Sequence, residues 1–432
     1  MGGPPDALPG PFVPTFAAFM PATPAPVSRP YSIGFWLMCL SSFLFFASFN
    51  LLLPELPGHL TRLGGGEYKG FIIALFTLTA AISRPFSGKL ADTVGRIPVM
   101  VLGSLVCVVC GLVYPWALTV SSFLGLRLLH GFSTGFKPTG TAAFVADIVP
   151  AEKRGEAMGL LGMTGSLGMA IGPWLGTQVA EHFSLNVMFY CSAGMVLLSV
   201  LVQGSLTETL PLAQRRRFSF SLLKLDWRQE VLEPRVFAPA LVTLLCLFPF
   251  GAVLTVIPDQ SQLLGLSSKG LFYSCYTVSA LVVRLAAGKA SDVYGRVRVL
   301  RWSAAVLALG LALLVFTPSV PVFLLGAVVF GLGTGLNSPT LYAWTVDLSD
   351  PLRRGRAVAT MYIALEVGIG LGALAAGWIF SNQAAHLPYV HALSMLCVLG
   401  ALAYLLRLPL DVPAGHQPAA DAAPEPQGEE VV

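Results

Sequence analysis

The chain has 432 residues, of which 11% are charged and 55% are hydrophobic, and its formal net charge is +4. An ordinary soluble protein carries roughly 25% charged residues, so this composition leaves too little polar surface to cover a soluble core. The low charge excludes a disordered chain and a nucleic-acid-binding protein, and it disfavours a soluble multidomain enzyme. A membrane protein with many spans remains, because about 20 apolar residues cross a bilayer.

The chain begins with a proline-rich segment over 1–30, which lacks the basic start and apolar core of a signal peptide. We expect this segment, and the Pro- and Glu-rich segment 409–432, to be flexible cytoplasmic tails. Twelve apolar runs lie between them, each predicted to be a spanning helix. The runs cover about 33–54, 70–92, 98–117, 121–146, 156–180, 187–206, 237–258, 270–291, 299–317, 321–346, 357–380 and 388–408.

A basic stretch over 207–236 separates the sixth run from the seventh and predicts a cytoplasmic linker. It divides the chain into six-helix bundles over 31–206 and 237–408. If both termini are cytoplasmic, 19 of the 26 Lys and Arg residues fall on that side, and only Arg62, Lys69 and Lys269 fall in outer loops. This asymmetry predicts a multi-pass protein of the plasma (inner) membrane with both termini in the cytoplasm.

The two halves repeat one another at an offset of 200 residues. The offset pairs Lys69 with Lys269 and Arg84 with Arg284, and it holds without gaps over about 100 residues. Both halves therefore start from the same side of the membrane, which is the parallel repeat of one class of secondary transporters. The predicted fold is an all-α integral membrane protein with twelve helices in two repeated bundles.

The loop Gly88-Lys-Leu-Ala-Asp92-Thr-Val-Gly95-Arg96 and its copy at 288–296 resemble the signature loop of the major facilitator superfamily. Together with twelve spans and a central linker, the resemblance covers nearly the whole chain. Physically, Gly88 allows a close helix contact, Gly95 a tight turn, and Asp92 can pair with Arg96. We expect a cytoplasmic gate made by Gly88, Lys89, Asp92, Gly95, Arg96, Asp147, Arg154, Gly288, Lys289, Asp292, Gly295, Arg296, Asp347 and Arg354; a structural turn with topogenic charges is the alternative.

Two further segments resemble motifs of the same family. Arg127-Leu-Leu-His130-Gly is similar to the R-x-x-Q-G pattern, in which the arginine is linked to proton coupling, with His130 in place of glutamine. A buried arginine bonded to backbone carbonyls is the alternative reading.

The other segment runs from Gly168 through Gly172 and Pro173 to Gly176, and it resembles the G-x-x-x-G-P-x-x-G-G element of exporters that exchange substrate for protons. Thr177 stands where the last glycine is expected. The glycines recur every four residues, which predicts a groove for close helix contact, and Pro173 is expected to bend the helix.

Two positions break the repeat and are therefore candidates for the site. Glu366 is the only acid deep inside a predicted run, and its equivalent is Ser166. It is a candidate proton or substrate group, or else the structural partner of a buried base. Lys137 is matched by Asn337. The family resemblance implies that this run lines a central cavity, where Lys137 would attract an anionic or zwitterionic substrate or pair with Glu366.

Other polar residues lie at the outer ends of the runs or recur in both halves. For Asn50, Glu55 and Asp259, gating and plain solvation are equally consistent with the sequence. Arg84 and Arg284 occur in both halves, which favours a scaffold or gate over substrate contact.

The resemblance implies a proton-coupled secondary transporter that exports a small organic molecule, with protons, the substrate and the lipid bilayer as its partners. An importer of a nutrient or metabolite on the same fold is the alternative. No catalytic motif, metal site or cofactor is expected, since the chain has no H-E-x-x-H and no Gly-rich phosphate loop. We also expect a monomer, and we interpret the seven cysteines as packing residues.

Overall fold

The computed structural model describes residues 31–150, 153–224, 232–266, 268–287, 290–349 and 354–410. Most of both predicted tails, the middle of the linker, Gly288 and Lys289 lie outside these ranges, and the side chain of Arg354 is also outside the description. Helices, without a strand, make up the described part of the chain. The predicted all-helical fold is therefore confirmed.

Within the described ranges, twelve helices have between 17 and 29 residues, and two short helices, α2 and α10, accompany them. The bounds are α1 Ile33–Leu52, α2 Leu56–Arg62, α3 Lys69–Thr93, α4 Arg96–Val113, α5 Val120–Ile148, α6 Arg154–His182, α7 Leu185–Gly204, α8 Phe237–Leu263, α9 Leu271–Ala287, α10 Ala290–Tyr294, α11 Arg296–Val315, α12 Val320–Leu348, α13 Arg354–Phe380 and α14 Leu387–Arg407.

Nine of the helices in the described ranges are long and apolar enough to cross a membrane by themselves. A tenth, α9, is apolar but has only 17 residues. The remaining long helices are α5, which carries Arg127 and Lys137, and α6, which is rich in glycine. The charged residues of α5 and the glycines of α6 lower the mean hydropathy of these two helices. Both helices also pack against neighbouring helices, and this packing replaces part of their contact with lipid.

The packing inside the two bundles is the same. In the first bundle α1 packs on α6 and α7, α5 packs on α3 and α4, and α4 packs on α7. In the second bundle α8 packs on α13 and α14, α12 packs on α9 and α11, and α11 packs on α14. The bundles meet where α3 contacts α13 and where α6 contacts α9, which are equivalent pairs in the repeat. The parallel duplication predicted from the sequence is therefore visible in the packing.

The glycine stripe of α6 lies directly against α1. A Cβ atom at Gly172 would lie 2.6 Å from the carbonyl oxygen of Ala47, and one at Gly176 would overlap the carbonyl oxygen of Leu51. Gly168 makes the same approach about one turn earlier. These glycines let the two backbones touch, as small residues do in membrane helix pairs. The helix continues through Pro173 to His182.

Candidate functional site

Two names describe the ends of the bundles. The linker face is the end at which Arg96 contacts both Asp147 and the linker residue Glu208, and the opposite face is the end at which Lys69 and Lys269 lie. Arg84 lies 15 residues after Lys69 on α3, which is about 22 Å along the helix. Arg84 therefore lies well inside the membrane-spanning part of the molecule.

An ion pair joins the two bundles at this middle level. The Nη2 of Arg84 on α3 lies 2.6 Å from the Oε1 of Glu366 on α13, and the two side chains are only 12% and 7% exposed. The guanidinium also stacks over the ring of Tyr362, at 4.5 Å from its centre. The Nε of Arg84 is buried and has no hydrogen-bond partner among the described residues. A buried pair of this kind is strongly sensitive to the loss of either charge.

The repeat contains a second version of this contact, in which the arginine meets a neutral hydroxyl in place of a carboxylate. Arg284 on α9 donates from Nη1 to the hydroxyl of Ser166 on α6 at 3.1 Å. Arg84 and Arg284 differ by 200 positions, and so do Ser166 and Glu366. The same arginine contact thus crosses the interface twice, but only the contact with Glu366 is an ion pair.

The sequence alone does not identify Arg84 as the partner of Glu366. The repeated arginines favour a scaffold or gate, and Lys137 is one candidate partner of the acid. The offset of 200 residues pairs Arg84 with Arg284, but it pairs Glu366 with Ser166. This difference could have indicated that Arg84 is the partner of Glu366.

Two more ion pairs join the bundles at the opposite face. Lys69 lies 2.5 Å from Asp259, and Lys269 lies 2.8 Å from Glu55. Each lysine begins or precedes the second long helix of its bundle and reaches an acid near the end of the other bundle's first helix. The two pairs cross the interface in opposite directions. Glu55 and Asp259 are thus bonded to the other bundle rather than simply solvated.

The backbones also approach closely at this face. A Cβ atom at Gly70 would overlap the carbonyl oxygen of Ala373, and one at Gly270 would overlap the carbonyl oxygen of Pro173. These two contacts are again equivalent in the repeat. Together with the lysine pairs, these backbone contacts hold the two bundles against each other at the opposite face.

Arg127 and His130 lie inside the first bundle. Arg127 donates from Nε to the carbonyl of Ile72 at 2.9 Å and stacks over the ring of Phe76. His130 lies 3.1 Å from the hydroxyl of Tyr114 and 3.0 Å from the sulfur of Cys107. The arginine thus bonds a backbone carbonyl, as in the alternative reading, and it shares Tyr114 with His130 at 3.4 Å.

Lys137 does not pair with Glu366, and that expectation is wrong. Its side chain is fully buried in the first bundle, where Nζ donates to the hydroxyl of Ser42 at 3.1 Å and lies over the ring of Phe45. The pairing with Glu366 was one of two alternatives, based on the charge of Lys137 and on the cavity that the family resemblance implies. The structure instead places Glu366 against Arg84, because α13 packs extensively on α3.

The two candidate asparagines differ in their contacts. Asn50 donates to the carbonyl of Phe46 at 2.7 Å, within its own helix. Asn337 is 2% exposed, and among the described residues its amide has no hydrogen bond to a nitrogen or oxygen atom and only the thiol of Cys246 beside it. Unpaired buried amide groups are costly, so Asn337 remains a candidate for contact with a ligand.

The charge clusters of the linker face each stay within one bundle. Arg96 binds Asp92 at 2.9 Å and Asp147 at 3.1 Å. In the second bundle Arg296 binds Asp292, and it lies 3.0 Å from Asp347. These contacts hold neighbouring helices of one bundle together. Among the described residues these clusters make no contact that fastens one bundle to the other, and their role as a gate stays a prediction.

Three glycines of the proposed gate differ in backbone conformation and surroundings. Gly95 has a φ of +143° and Gly295 a φ of +87°, so both turns use backbone conformations that favour glycine. Among the described residues, which do not include 350–353, no atom lies within 4 Å of a Cβ atom built at Gly88, so these residues do not make the close helix contact expected there.

Arg154 and Lys89 contact residues that do not belong to the predicted gate. Arg154 donates to the carbonyl of Ala146 at 2.8 Å rather than to the 88–96 loop. It therefore fastens the end of α5 and does not act as a partner of that loop here. Lys89 donates to the carbonyl of Lys224 in the linker at 2.7 Å.

Comparison with known families gives two matches over most of the chain. The family model described as Major Facilitator Superfamily matches residues 38–273 and again 240–428. Multidrug resistance protein 2 of Bacillus subtilis is 26% identical over 51% of this chain and 56% of its own length. Multidrug resistance protein MdtG of Serratia proteamaculans is 33% identical over 40% of this chain and 44% of its own. The chain thus matches about half the length of these curated relatives.

Solved structures share the fold over more of the chain. The human organic anion transporter MFSD10 (TETRAN) has a TM-score of 0.67 at 21% identity and covers 86% of this chain and 98% of its own. A D-xylose-proton symporter has a TM-score of 0.71 at 16% identity and covers 87% of this chain and 97% of its own. At these identities the likeness establishes the fold alone.

Proposed function

The chain belongs to the Major Facilitator Superfamily of membrane transporters, and we propose that it exports a small organic molecule in exchange for protons. The names of the multidrug resistance relatives support export. So does the glycine element of α6, which packs against α1 along its length. The proposal places the linker face and both termini in the cytoplasm, in agreement with the distribution of Lys and Arg.

The observation that carries the proposal is the ion pair between Arg84 and Glu366. It lies between the bundles, so its formation favours a conformation in which α3 and α13 are in contact. Protonation of Glu366 removes the negative charge and leaves Arg84 without its partner. Proton binding is thereby connected to the contact between the two bundles, which is the requirement for coupling in an alternating-access transporter.

The same pair explains how empty turnover is limited. An exchanger wastes the proton gradient if the empty, deprotonated protein changes conformation freely. With neither proton nor substrate bound, Arg84 and Glu366 hold the bundles in the state that is closed at the opposite face. Either a proton on Glu366 or a substrate group that competes for Arg84 would release them. In this account the two bundles then rock around the midplane site.

The remaining candidates have supporting roles in the proposal. The clusters at Arg96 and Arg296 would reorganise when the linker face closes, which is the gate expected from the sequence. Lys137 and Asn337 occupy equivalent positions of the repeat and would contact substrate after the bundles move. The bundles over 31–206 and 237–408 would act as the moving bodies of a single protein molecule.

Transport by reconstituted protein tests this proposal. Proteoliposomes with an imposed pH gradient are assayed with ethidium and with carboxyfluorescein, as cationic and anionic probes. We expect gradient-driven movement of at least one probe and its loss in Glu366→Gln. Glu181→Gln, the same change at an exposed position of α6, serves as the matched control. Normal gradient-driven transport by Glu366→Gln would refute the assignment.

The direction of transport is tested separately. In intact cells, export predicts that the probe accumulates when the gene is deleted or the gradient is dissipated. Accumulation that instead requires both the protein and the gradient would identify the alternative, a proton-coupled importer on the same fold.

A further inference from the structure

The first half of the linker is bound to one bundle as a strap, here defined as residues 208–224. The carboxylate of Glu208 accepts hydrogen bonds from the backbone N–H groups of Arg96 and Ile97, at 3.0 and 2.9 Å. Further along, the N–H of Arg216 donates to the carbonyl of Thr93 at 2.7 Å. Glu208 thus caps the N-terminus of α4, where a negative charge is favourable. The strap is attached to the end of α3 and the start of α4.

The middle of this strap exposes basic and aromatic side chains together. Arg216 and Arg217 are exposed, and within the described residues neither side chain has an ion-pair partner. Phe218 is 54% exposed and Phe220 is 80% exposed, and their rings contact each other edge to face. We call these four residues the strap patch.

Exposed phenylalanines are unfavourable in water, so the strap patch needs a partner with an apolar part. The neighbouring Leu222 and Leu223 provide a contrast, because both pack against the apolar cluster of α3, α4 and α5. The aromatic pair therefore points away from the protein while the next two residues point into it. A partner must also match two arginines that form no ion pair with an acid of the described residues.

The position of the strap identifies that partner. It borders the start of α4, and the side of α4 that includes Leu102, Leu105 and Val109 is exposed over the membrane-spanning part of the helix. That side faces hydrocarbon in a bilayer. A segment that borders the end of this surface lies at the level of the lipid headgroups.

We propose that the strap patch binds the phosphate headgroups of anionic phospholipids in the adjacent leaflet. Arginine matches phosphate oxygens with two parallel hydrogen bonds, and aromatic rings favour the boundary between headgroups and acyl chains. Lys224 adds a third exposed base to the strap. The lipid would hold the strap on the membrane while its other contacts hold it on the first bundle. This inference does not depend on the substrate or on proton coupling.

Hydrogen exchange of the full-length protein tests the lipid site. The protein is placed in nanodiscs of phosphatidylcholine alone or mixed with phosphatidylglycerol, and amide exchange over 212–222 is followed. We expect at least threefold slower exchange with phosphatidylglycerol, and no such effect when inorganic phosphate is added to phosphatidylcholine nanodiscs. Equal exchange in the two lipids, or equal protection by inorganic phosphate, would overturn the proposal.

Charge reversal makes the test independent of a folding defect. Arg216→Glu/Arg217→Glu should lose the protection by phosphatidylglycerol and gain protection in nanodiscs that contain a cationic lipid. Lys153→Glu, a charge reversal at an exposed base outside the strap, should behave as the parent does. If the double variant kept its protection by phosphatidylglycerol, the arginines would not be the lipid ligands.

Discussion

Arg84 and Glu366 are joined at 2.6 Å across the two bundles, whereas in their repeat equivalents Arg284 donates a hydrogen bond to the neutral hydroxyl of Ser166 at 3.1 Å. A duplicated fold starts with two equivalent interfaces, α3 with α13 and α6 with α9. Placing an acid in only one of them makes that interface sensitive to a proton while the other keeps a constant contact. This asymmetry gives the proposed coupling one titrating group per molecule.

The second interface should become sensitive to protons when it receives an acid. Ser166→Glu places a carboxylate opposite Arg284, and a hydrogen bond to a charged group contributes about 1.5–3 kcal/mol. Since 1.4 kcal/mol is tenfold in an equilibrium, we expect the closed state to be favoured about tenfold or more and transport to slow by a similar factor. Transport rates in proteoliposomes check this result, with Ser166→Gln as the uncharged control. An unchanged rate in Ser166→Glu would contradict it.

Moving the acid is a sharper form of the same prediction. The double variant Ser166→Glu/Glu366→Ser restores one arginine–carboxylate ion pair and one arginine–hydroxyl hydrogen bond, with their places exchanged. We expect it to recover part of the gradient-driven transport that Glu366→Ser alone loses. If Ser166→Glu/Glu366→Ser were no more active than Glu366→Ser, the position of the acid, and not only its presence, would be required.

The lysine pairs of the opposite face should control its opening. Lys69→Gln removes the charge that holds Asp259. A hydrogen bond to a charged group contributes about 1.5–3 kcal/mol, so we expect the population that is open at this face to rise about tenfold. Faster amide exchange over 69–77 and 255–263 would report the change. The exposed Arg62→Gln is the control.

Charge exchange provides the counter-test for that pair. Lys69→Asp/Asp259→Lys keeps the attraction with its direction reversed and should return amide exchange to the parent rate. If Lys69→Gln exchanges no faster than Arg62→Gln does, the pair does not hold this face closed.

The contact between α6 and α1 predicts a strong difference between two glycines of one helix. A methyl group at Gly176 would overlap the carbonyl oxygen of Leu51, whereas one at Gly159 meets nothing within 4 Å. Overpacking typically costs about 1–3 kcal/mol. We therefore expect Gly176→Ala to lower the unfolding temperature in detergent clearly, and Gly159→Ala to leave it unchanged or raise it. Equal unfolding temperatures would indicate that the two helices separate easily.

The fold could be predicted because bilayer physics leaves few choices. Apolar runs long enough to cross the membrane must form helices, and a constant offset of 200 residues requires two similar bundles. The partner of Glu366 could not be predicted in the same way. Hydropathy places Glu366 and Arg84 inside the membrane but does not fix how far each helix is rotated, and that rotation decides which side chains meet.

Lys137 and Gly88 illustrate the same limit. The charge of Lys137 suggested an acid as its partner, yet a hydroxyl and an aromatic ring surround it. The small size of Gly88 suggested a neighbouring helix, yet no atom of the described residues lies within 4 Å of a Cβ atom built there. Residue type indicates which contacts are allowed, and the packing of the helices decides which of them form.

The most direct test of the account follows the distance between the bundles as pH changes. Labels introduced as noncanonical amino acids at Arg62 and Leu263, both exposed at the opposite face, report that distance by electron paramagnetic resonance. On lowering the pH we expect a longer distance to gain population in the parent and in Glu181→Gln, while Glu366→Gln should populate it at every pH. A parent distance that does not respond to pH, or a Glu366→Gln protein that responds as the parent does, would contradict coupling through the ion pair of Arg84 and Glu366.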